Sequence, residues 1–422
     1  MRGRFSGLPK RASAIGVALV CGAGLWAQEP PTRAGRILQA RAAKASRLEP
    51  EHNSGFEKKL LKLKDKRLLQ AASESPGDGL KPAIGGVTSG QGFAVGVRYL
   101  LRDREKDNWR FNAAAFASIS KSFKVQADLT LPEFLSPRVD LEFSGRHRRL
   151  TRVDYYGPGA KSLLENRTSY LKEDTSADAK VRYRPLGGDL SVGARAGILA
   201  VNTGRGRRTG TPSPEDLFSS AAAAGLDDQT NFLRTGGFLE FDTREPTTSG
   251  ARSGALVSLE FSDFSDQGLG RYGFQQLDAE VQKYYSFLNG KRVFVVRGEV
   301  ATTFTDSDHR VPFYLQPYLG GAYEMRGFPN YRFYGDHSMV TNFEYRWEAF
   351  SGLDLALFMD AGKVADRRAD LDFSDLETAA GFGFRFNGRN QTFMRLDVAF
   401  SQEGTQIWFR WRGPFRRRCA TC

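Results

Sequence analysis

Along most of this chain, apolar and polar residues change places at every second position. Phe123, Val125, Ala127 and Leu129 alternate with Lys124, Gln126 and Asp128, and Val139, Leu141 and Phe143 alternate with Asp140 and Glu142. The same pattern sets Val192, Ala194, Ala196 and Ile198 against Gly193, Arg195 and Gly197, and Leu396, Val398 and Phe400 against Arg395, Asp397 and Ala399. A period of two gives a strand one apolar and one polar face. Such runs begin near residues 92, 108, 122, 138, 152, 169, 190, 232, 252, 273, 292, 337, 353, 377, 391 and 404, which predicts sixteen strands. An even number brings both termini to one side. The interruptions at 203–231 and 306–336 follow the seventh and eleventh runs, so both leave from the opposite side. In a soluble sandwich the apolar faces would meet a second sheet. In a membrane barrel they meet lipid, where Arg or Lys near the midplane costs about 2–4 kcal/mol.

The amino terminus changes that balance. Arg2, Arg4, Lys10 and Arg11 form a basic head, an apolar run spans Ala12 to Leu25, and Gln28-Glu29-Pro30-Pro31 follows. This is the layout of a secretory signal peptide cleaved near Ala27. No other segment offers roughly 18–20 consecutive apolar residues, the length a spanning helix requires. Aromatic residues make up 12% of the chain and glycines number 45, and the mean hydropathy is −0.44. These values suit a barrel whose alternate side chains face a polar lumen, although a soluble all-β repeat protein shares much of this composition.

Charge narrows the partners. The formal net charge is +13, of which four positives leave with residues 1–27, a segment without acids. Of the remaining +9, residues 28–83 hold +5 and Arg416, Arg417 and Arg418 hold +3, so the segment 84–415 is about +1. The basic excess sits in two flanks and the body is balanced, a distribution that fits anionic headgroups or cell-wall polymers rather than nucleic acid. After loss of Cys21, only Cys419 and Cys422 remain, a Cys-x-x-Cys at the extreme end that reads as a tail pair or small disulfide loop rather than a redox centre. Catalytic chemistry finds no constellation. There is no Gly-x-Ser-x-Gly, His52, His147, His309 and His337 lack ligand spacing, and Gly204-Arg205-Gly206-Arg207-Arg208 lacks the Gly-Lys-Ser/Thr end of a phosphate loop. No enzyme activity, metal or cofactor is expected.

Several motifs in order carry a resemblance. Leu319-Gly320-Gly321-Ala322-Tyr323-Glu324-Met325-Arg326-Gly327-Phe328 precedes a strand containing Phe343-Glu344-Tyr345-Arg346-Trp347. Phe241-Asp242-Thr243-Arg244-Glu245-Pro246, Leu357-Phe358-Met359-Asp360-Ala361-Gly362, the pair Gly381–Arg385 and Met394–Phe400, and Trp411-Arg412-Gly413-Pro414-Phe415 accompany it. Together they resemble the Omp85 superfamily of outer-membrane barrels, the bacterial surface antigen D15 family that includes BamA and TamA. The match is strong from about 232 to 415 and weak from 84 to 231. The resemblance implies an all-β, sixteen-stranded antiparallel transmembrane barrel in the outer membrane of a Gram-negative-type bacterium, with both termini periplasmic. The same number guided the division of runs near 152 and 169.

The resemblance further implies that the loop bearing Arg326, Gly327 and Phe328 folds into the lumen and meets the wall. Alternation supplies wall partners without it. Phe343, Tyr345 and Trp347 share one face, so Glu344, Arg346 and Glu348 share the other, and Leu353, Leu355, Leu357 and Met359 place Asp354 and Asp360 opposite. Glu344 and Asp360 are therefore expected inside, as partners of Arg326. The competing arrangement pairs Glu344 with Arg346 or Arg385 and leaves the loop outside. Asp242, Arg244, Gly320, Gly321 and Gly362 are expected as family motif positions, and Trp411 with Phe415 as the assembly signal. The expected organisation is a signal peptide over 1–27, a basic periplasmic leader over 28–83 that is partly helical or disordered, the barrel over 84–415 and a tail over 416–422.

Family members that insert or secrete proteins usually carry periplasmic POTRA domains, and residues 28–83 are too few for one. They hold instead Leu60, Leu61, Leu63, Leu68 and Leu69 among lysines, a pattern open to a short basic surface helix or to a charged leader. The expected function is insertion or translocation of outer-membrane or secreted client proteins by a monomer in outer-membrane lipid, through a seam between residues 92–101 and 404–413, with a periplasmic partner in place of POTRA. The alternative is a passive channel or structural barrel plugged by the Arg326 loop.

Overall fold

A computed structural model describes residues 78–411, apart from 186–187, 246–249 and 388–391, together with six positions between 37 and 55. The expected signal peptide, nearly all of the leader, Phe415, Cys419 and Cys422 lie outside the described residues. The described residues from 78 to 411 belong to one compact unit. Within it, sixteen antiparallel strands form a nearly closed barrel.

In chain order the strands are β1 (Gly79–Gly85), β2 (Ala94–Arg102), β3 (Arg110–Ser118), β4 (Phe123–Leu131), β5 (Val139–Tyr155), β6 (Thr168–Tyr183), β7 (Leu190–Arg205), β8 (Asn231–Asp242), β9 (Gly254–Asp266), β10 (Phe274–Phe287) and β11 (Arg292–Phe304). Two short strands, β12 (Tyr318–Leu319) and β13 (Phe333–Tyr334), pair with each other inside the following loop. The barrel resumes with β14 (His337–Phe350), β15 (Leu353–Ala365), β16 (Glu377–Asn387), β17 (Thr392–Ser401) and β18 (Gly404–Trp411). Each barrel strand pairs with its sequence neighbour, and β11 pairs directly with β14 across the loop. Among the described residues, no helix is long and apolar enough to cross a membrane.

The alternation in the sequence becomes the two faces of this wall. Phe343, Leu357 and Met359 are exposed on the outside, whereas Glu344, Asp354 and Asp360 are buried. A charged interior beneath an exposed apolar surface is the inverse of a soluble core and the signature of a wall that meets lipid.

The number of strands is as expected, but two assignments differ. No strand starts near 152. β5 runs unbroken from Val139 to Tyr155, and a register shift between Leu150 and Val153 interrupts its alternation, which imitated a strand end. The first strand is instead β1, ahead of the expected barrel start at 84 and inside the span assigned to the leader. Gly79, Pro82 and Gly85 masked it, since proline and glycine weaken a strand signal and proline is tolerated where a strand has a free edge. The first-to-last seam therefore involves residues 79–85, not 92–101. The two errors offset each other, so the long loops still follow the seventh and eleventh barrel strands.

Candidate functional site

The loop between β11 and β14 re-enters the barrel. Its β12–β13 hairpin holds residues 320–332 as a tip, and Gly320 and Gly321 turn the chain with φ of +116° and +94°. A Cβ at Gly320 would lie 2.3 Å from the Pro329 carbonyl oxygen, so no other residue fits this turn unchanged. At the bottom of the tip, Gly327 lies flat on the wall, where a Cβ would stand 2.5 Å from that of Ala379. Phe328 is fully buried with Leu319, Met325, Phe333, Val340, Val364 and Ala379. The Gly362 α-carbon passes so close to Met339 that a Cβ would stand 2.6 Å from its carbonyl oxygen.

Arg326 is thereby aimed at the facing wall. Its Nε donates to Asp360 Oδ2 at 2.9 Å and its Nη2 to Asp360 Oδ1 at 2.6 Å, a bidentate pair. Its backbone N–H also donates to Asp360 Oδ2, at 2.9 Å. Nη1 donates to Glu344 Oε2 at 2.6 Å. The guanidinium carbon stands 3.5 Å from the centroid of the Phe358 ring. The carbonyl of Arg326 accepts from Trp408 Nε1 at 2.6 Å, and that of Gly327 accepts from Ser401 Oγ at 2.8 Å. The tip is thus fixed to β14, β15, β17 and β18 at once.

Glu344 serves three arginines. Besides Arg326 it accepts from Arg346 Nε at 2.7 Å and from Arg385 Nη2 at 3.0 Å. The two arrangements that the sequence set in competition therefore coexist: Glu344 pairs with Arg346 and Arg385, and the loop is inside. Arg385 continues to Asp397, which also faces Arg395, and Arg395 donates to the Ala322 carbonyl in the loop. Asn342 donates to Asp360 Oδ1 at 2.8 Å and to the Glu324 carbonyl at 2.7 Å. Four guanidinium groups thus meet three carboxylates, all buried. In so dry a setting each charge depends on its partners, because removing one strands the others at several kcal/mol.

Other predicted positions lie elsewhere. Arg244 binds Asp242 through Nε at 2.8 Å and Nη2 at 2.7 Å, and reaches Gln282 Oε1 at 3.2 Å, at the end of β8 rather than in the cluster. Trp411 closes β18 with its ring 5.3 Å from that of Phe409. Sequence reasoning missed Asn342, Arg395, Asp397, Ser401 and Trp408 as loop supports. Alternation had placed Arg395 and Asp397 on one polar face, which was the available signal; the partners across the lumen were not readable. Among the described histidines, His337 Nδ1 meets Thr302 Oγ1 at 2.6 Å and His309 Nε2 meets the Gly270 carbonyl at 3.0 Å, contacts of a structural kind. No group of His, Cys, Asp or Glu among the described residues could hold a metal ion. The cluster's chemistry is that of a clasp.

Over the loop lies an aromatic cover. Tyr155, Tyr170, Phe313, Tyr314, Tyr331 and Tyr334 are buried in one apolar cluster that also takes in Ala223 and Leu226 from the β7–β8 connection. Arg332 ties the loop to Glu403 at 2.8 Å and to the Ser162 hydroxyl at 2.8 Å.

The family model of the Omp85 superfamily domain matches residues 105–412. No curated protein matches the chain. Among solved structures, BamA from Haemophilus ducreyi lacking POTRA domains 1–3 aligns with a TM-score of 0.59 at 13% identity, over 79% of this chain and 69% of that one. CdiB from Escherichia coli aligns with a TM-score of 0.52 at 11% identity, over 80% of this chain and 63% of that one. CdiB from Acinetobacter baumannii is 14% identical over 79% of this chain and 59% of its own, with a TM-score of 0.45. This chain therefore spans less than two thirds of either CdiB chain. At such identities the likeness is one of fold.

Proposed function

The chain belongs to the Omp85 superfamily, and from that premise we propose that it resides in the outer membrane of a Gram-negative-type bacterium and inserts or translocates proteins there, as a transport protein rather than a catalyst. The observation that carries this reading is the seam. β1 pairs with β2 alone and β18 with β17 alone, so each has one backbone edge without a strand partner among the described residues. Such an edge accepts an incoming strand by β-augmentation. β1 is also short, 7 residues, and its Pro82 cannot donate a ladder hydrogen bond. A closed seam would yield few bonds, so little is lost when a client strand enters. Outer-membrane or secreted proteins are the clients in this reading, a periplasmic partner delivers them, and the barrel works as a monomer in lipid. Photocrosslinking residues placed at Ile84 and Ile407 in the full chain should capture nascent barrel proteins in cells. Crosslinks to lipid alone would refute the reading.

The clasped loop and aromatic cover favour a second reading, a passive barrel kept shut by its plug. Deleting residues 320–330 would then raise steady ion conductance in bilayers without an assembly defect in cells.

A further inference from the structure

The outer face of β4–β6 carries a patch that a lipid-facing wall has no reason to hold. On β5 the residues that share the outward side with Phe143 are Gly145, His147 and Arg149, and on β6 Thr175 and Glu173 continue the side of Val181. His147 Nδ1 meets Thr175 Oγ1 at 2.8 Å, while His147 Nε2 and Arg149 Nε both stand 3.7 Å from Glu173, beyond hydrogen-bond reach. The Phe123 ring lies 5.5 Å from that of His147, and exposed Lys121 sits in the turn immediately before Phe123. Their height in the wall follows from the register. Val139 faces Tyr183 at one end of the β5–β6 ladder and Arg149 faces Glu173 ten residues further along. At about 3.3 Å per residue and a tilt near 40°, that separation is about 25 Å along the membrane normal, the height of one apolar band. Arg149 and His147 therefore stand at the headgroup boundary remote from the termini. Next to them on the outward side come Thr175, Asn202 and Asn231, so the positive charge of the patch sits on β5 and in the turn before β4.

We propose that Lys121, His147 and Arg149 bind the phosphate of a phosphorylated outer-leaflet lipid, with the Phe123 ring against its acyl boundary. Arg149 and His147 face a single carboxylate, Glu173, which orients them without saturating their donors, and the exposed Lys121 adds an ammonium from the turn before Phe123. A planar guanidinium edge and a mobile ammonium suit a phosphate's oxygens. The inference rests on the outer-membrane placement above but not on client handling.

Native mass spectrometry of the full chain in detergent, with bis-phosphorylated lipid A as probe, tests it. The wild type should retain this lipid at least about tenfold better than its dephosphorylated form, and the K121Q/R149Q double variant should lose that preference. R149K, which keeps the charge, should retain most of it. Equal retention of both lipids, or an unchanged double variant that keeps its folded far-ultraviolet spectrum, would overturn the proposal. Complete displacement by millimolar inorganic phosphate would overturn the lipid assignment. None of these readouts depends on assembly in cells, so failure here leaves the transport reading standing, and the reverse.

Discussion

At the scale of single residues, the clasp makes unequal demands on its members. Replacing Arg326 by Met removes both side-chain bonds to Asp360, which keeps Asn342 and the backbone N–H of residue 326, while Glu344 retains Arg346 and Arg385. R326M should cost about 3–5 kcal/mol, as loss of one partner of a buried ion pair does. The temperature at which the fast-migrating folded band disappears in seminative gels would measure it. Adding D360N should recover part of the loss, whereas E344Q, which leaves three guanidinium groups facing one another, should unfold the barrel at the lowest temperature of the set.

Asp336, just before β14, offers a test in pH. Burial holds its carboxyl above the ordinary carboxylate range against the pull of Gln316, His337 and Arg310, and Asp366 pushes the same way as burial. The folded protein thus binds this proton more tightly than the unfolded chain does, so Asp336 costs stability once pH rises above its unfolded value of 3.8. D336N should be more heat-stable than wild type near pH 7 and lose that advantage at about pH 3, as followed by circular dichroism.

Legibility at this scale followed the binary nature of a strand. A side chain points in or out, so alternation alone placed Glu344 and Asp360 inside. Which arginine reaches Glu344 depends on side-chain length and on register across three strands, and a one-dimensional pattern contains neither.

At the scale of elements, strand length divides the wall. β5, β6 and β7 run to 17, 16 and 16 residues, whereas β1 has 7. About 9–11 residues cross a membrane, so the long strands extend well beyond it and β1 falls short of it. Amide hydrogen exchange should therefore be fastest, among barrel strands, in β1 and β18 and slowest in the β5–β7 ladders, where opening must break the most bonds. Uniform protection around the barrel would contradict a weak seam. The same contrast explains what the sequence hid. β11 and β14 to β17 have regular alternation and were found within a few residues. β1 has too few apolar positions around Pro82 to announce itself, and the register shift in β5 placed consecutive buried residues, Leu150 and Thr151, where alternation required one.

At the scale of the whole barrel, the sequence conveyed the side from which long loops leave, because that depends only on parity, whereas the count of sixteen came out right because the false strand near 152 offset the missed β1. It did not convey that the two long loops meet. Phe313 N–H donates to the Ala224 carbonyl at 2.9 Å, and Tyr314 is buried with Leu226, contacts between segments that share no pattern. Deleting residues 214–227 should therefore loosen the cover over the lumen. Limited proteolysis would detect new cleavage within residues 311–318 while the clasp below still protects Arg326.

Trp408 gives the clasp a direction in time. Its indole N–H holds the Arg326 carbonyl, and it belongs to β18, the last strand of the barrel to leave the ribosome. The loop, made some eighty residues earlier, has to wait for it. A chain stopped after β17 would own every charge that grips Arg326 and still lack the latch over its backbone. Burial of the loop then serves as a receipt for a finished barrel, legible to any protease that samples the half-assembled chain.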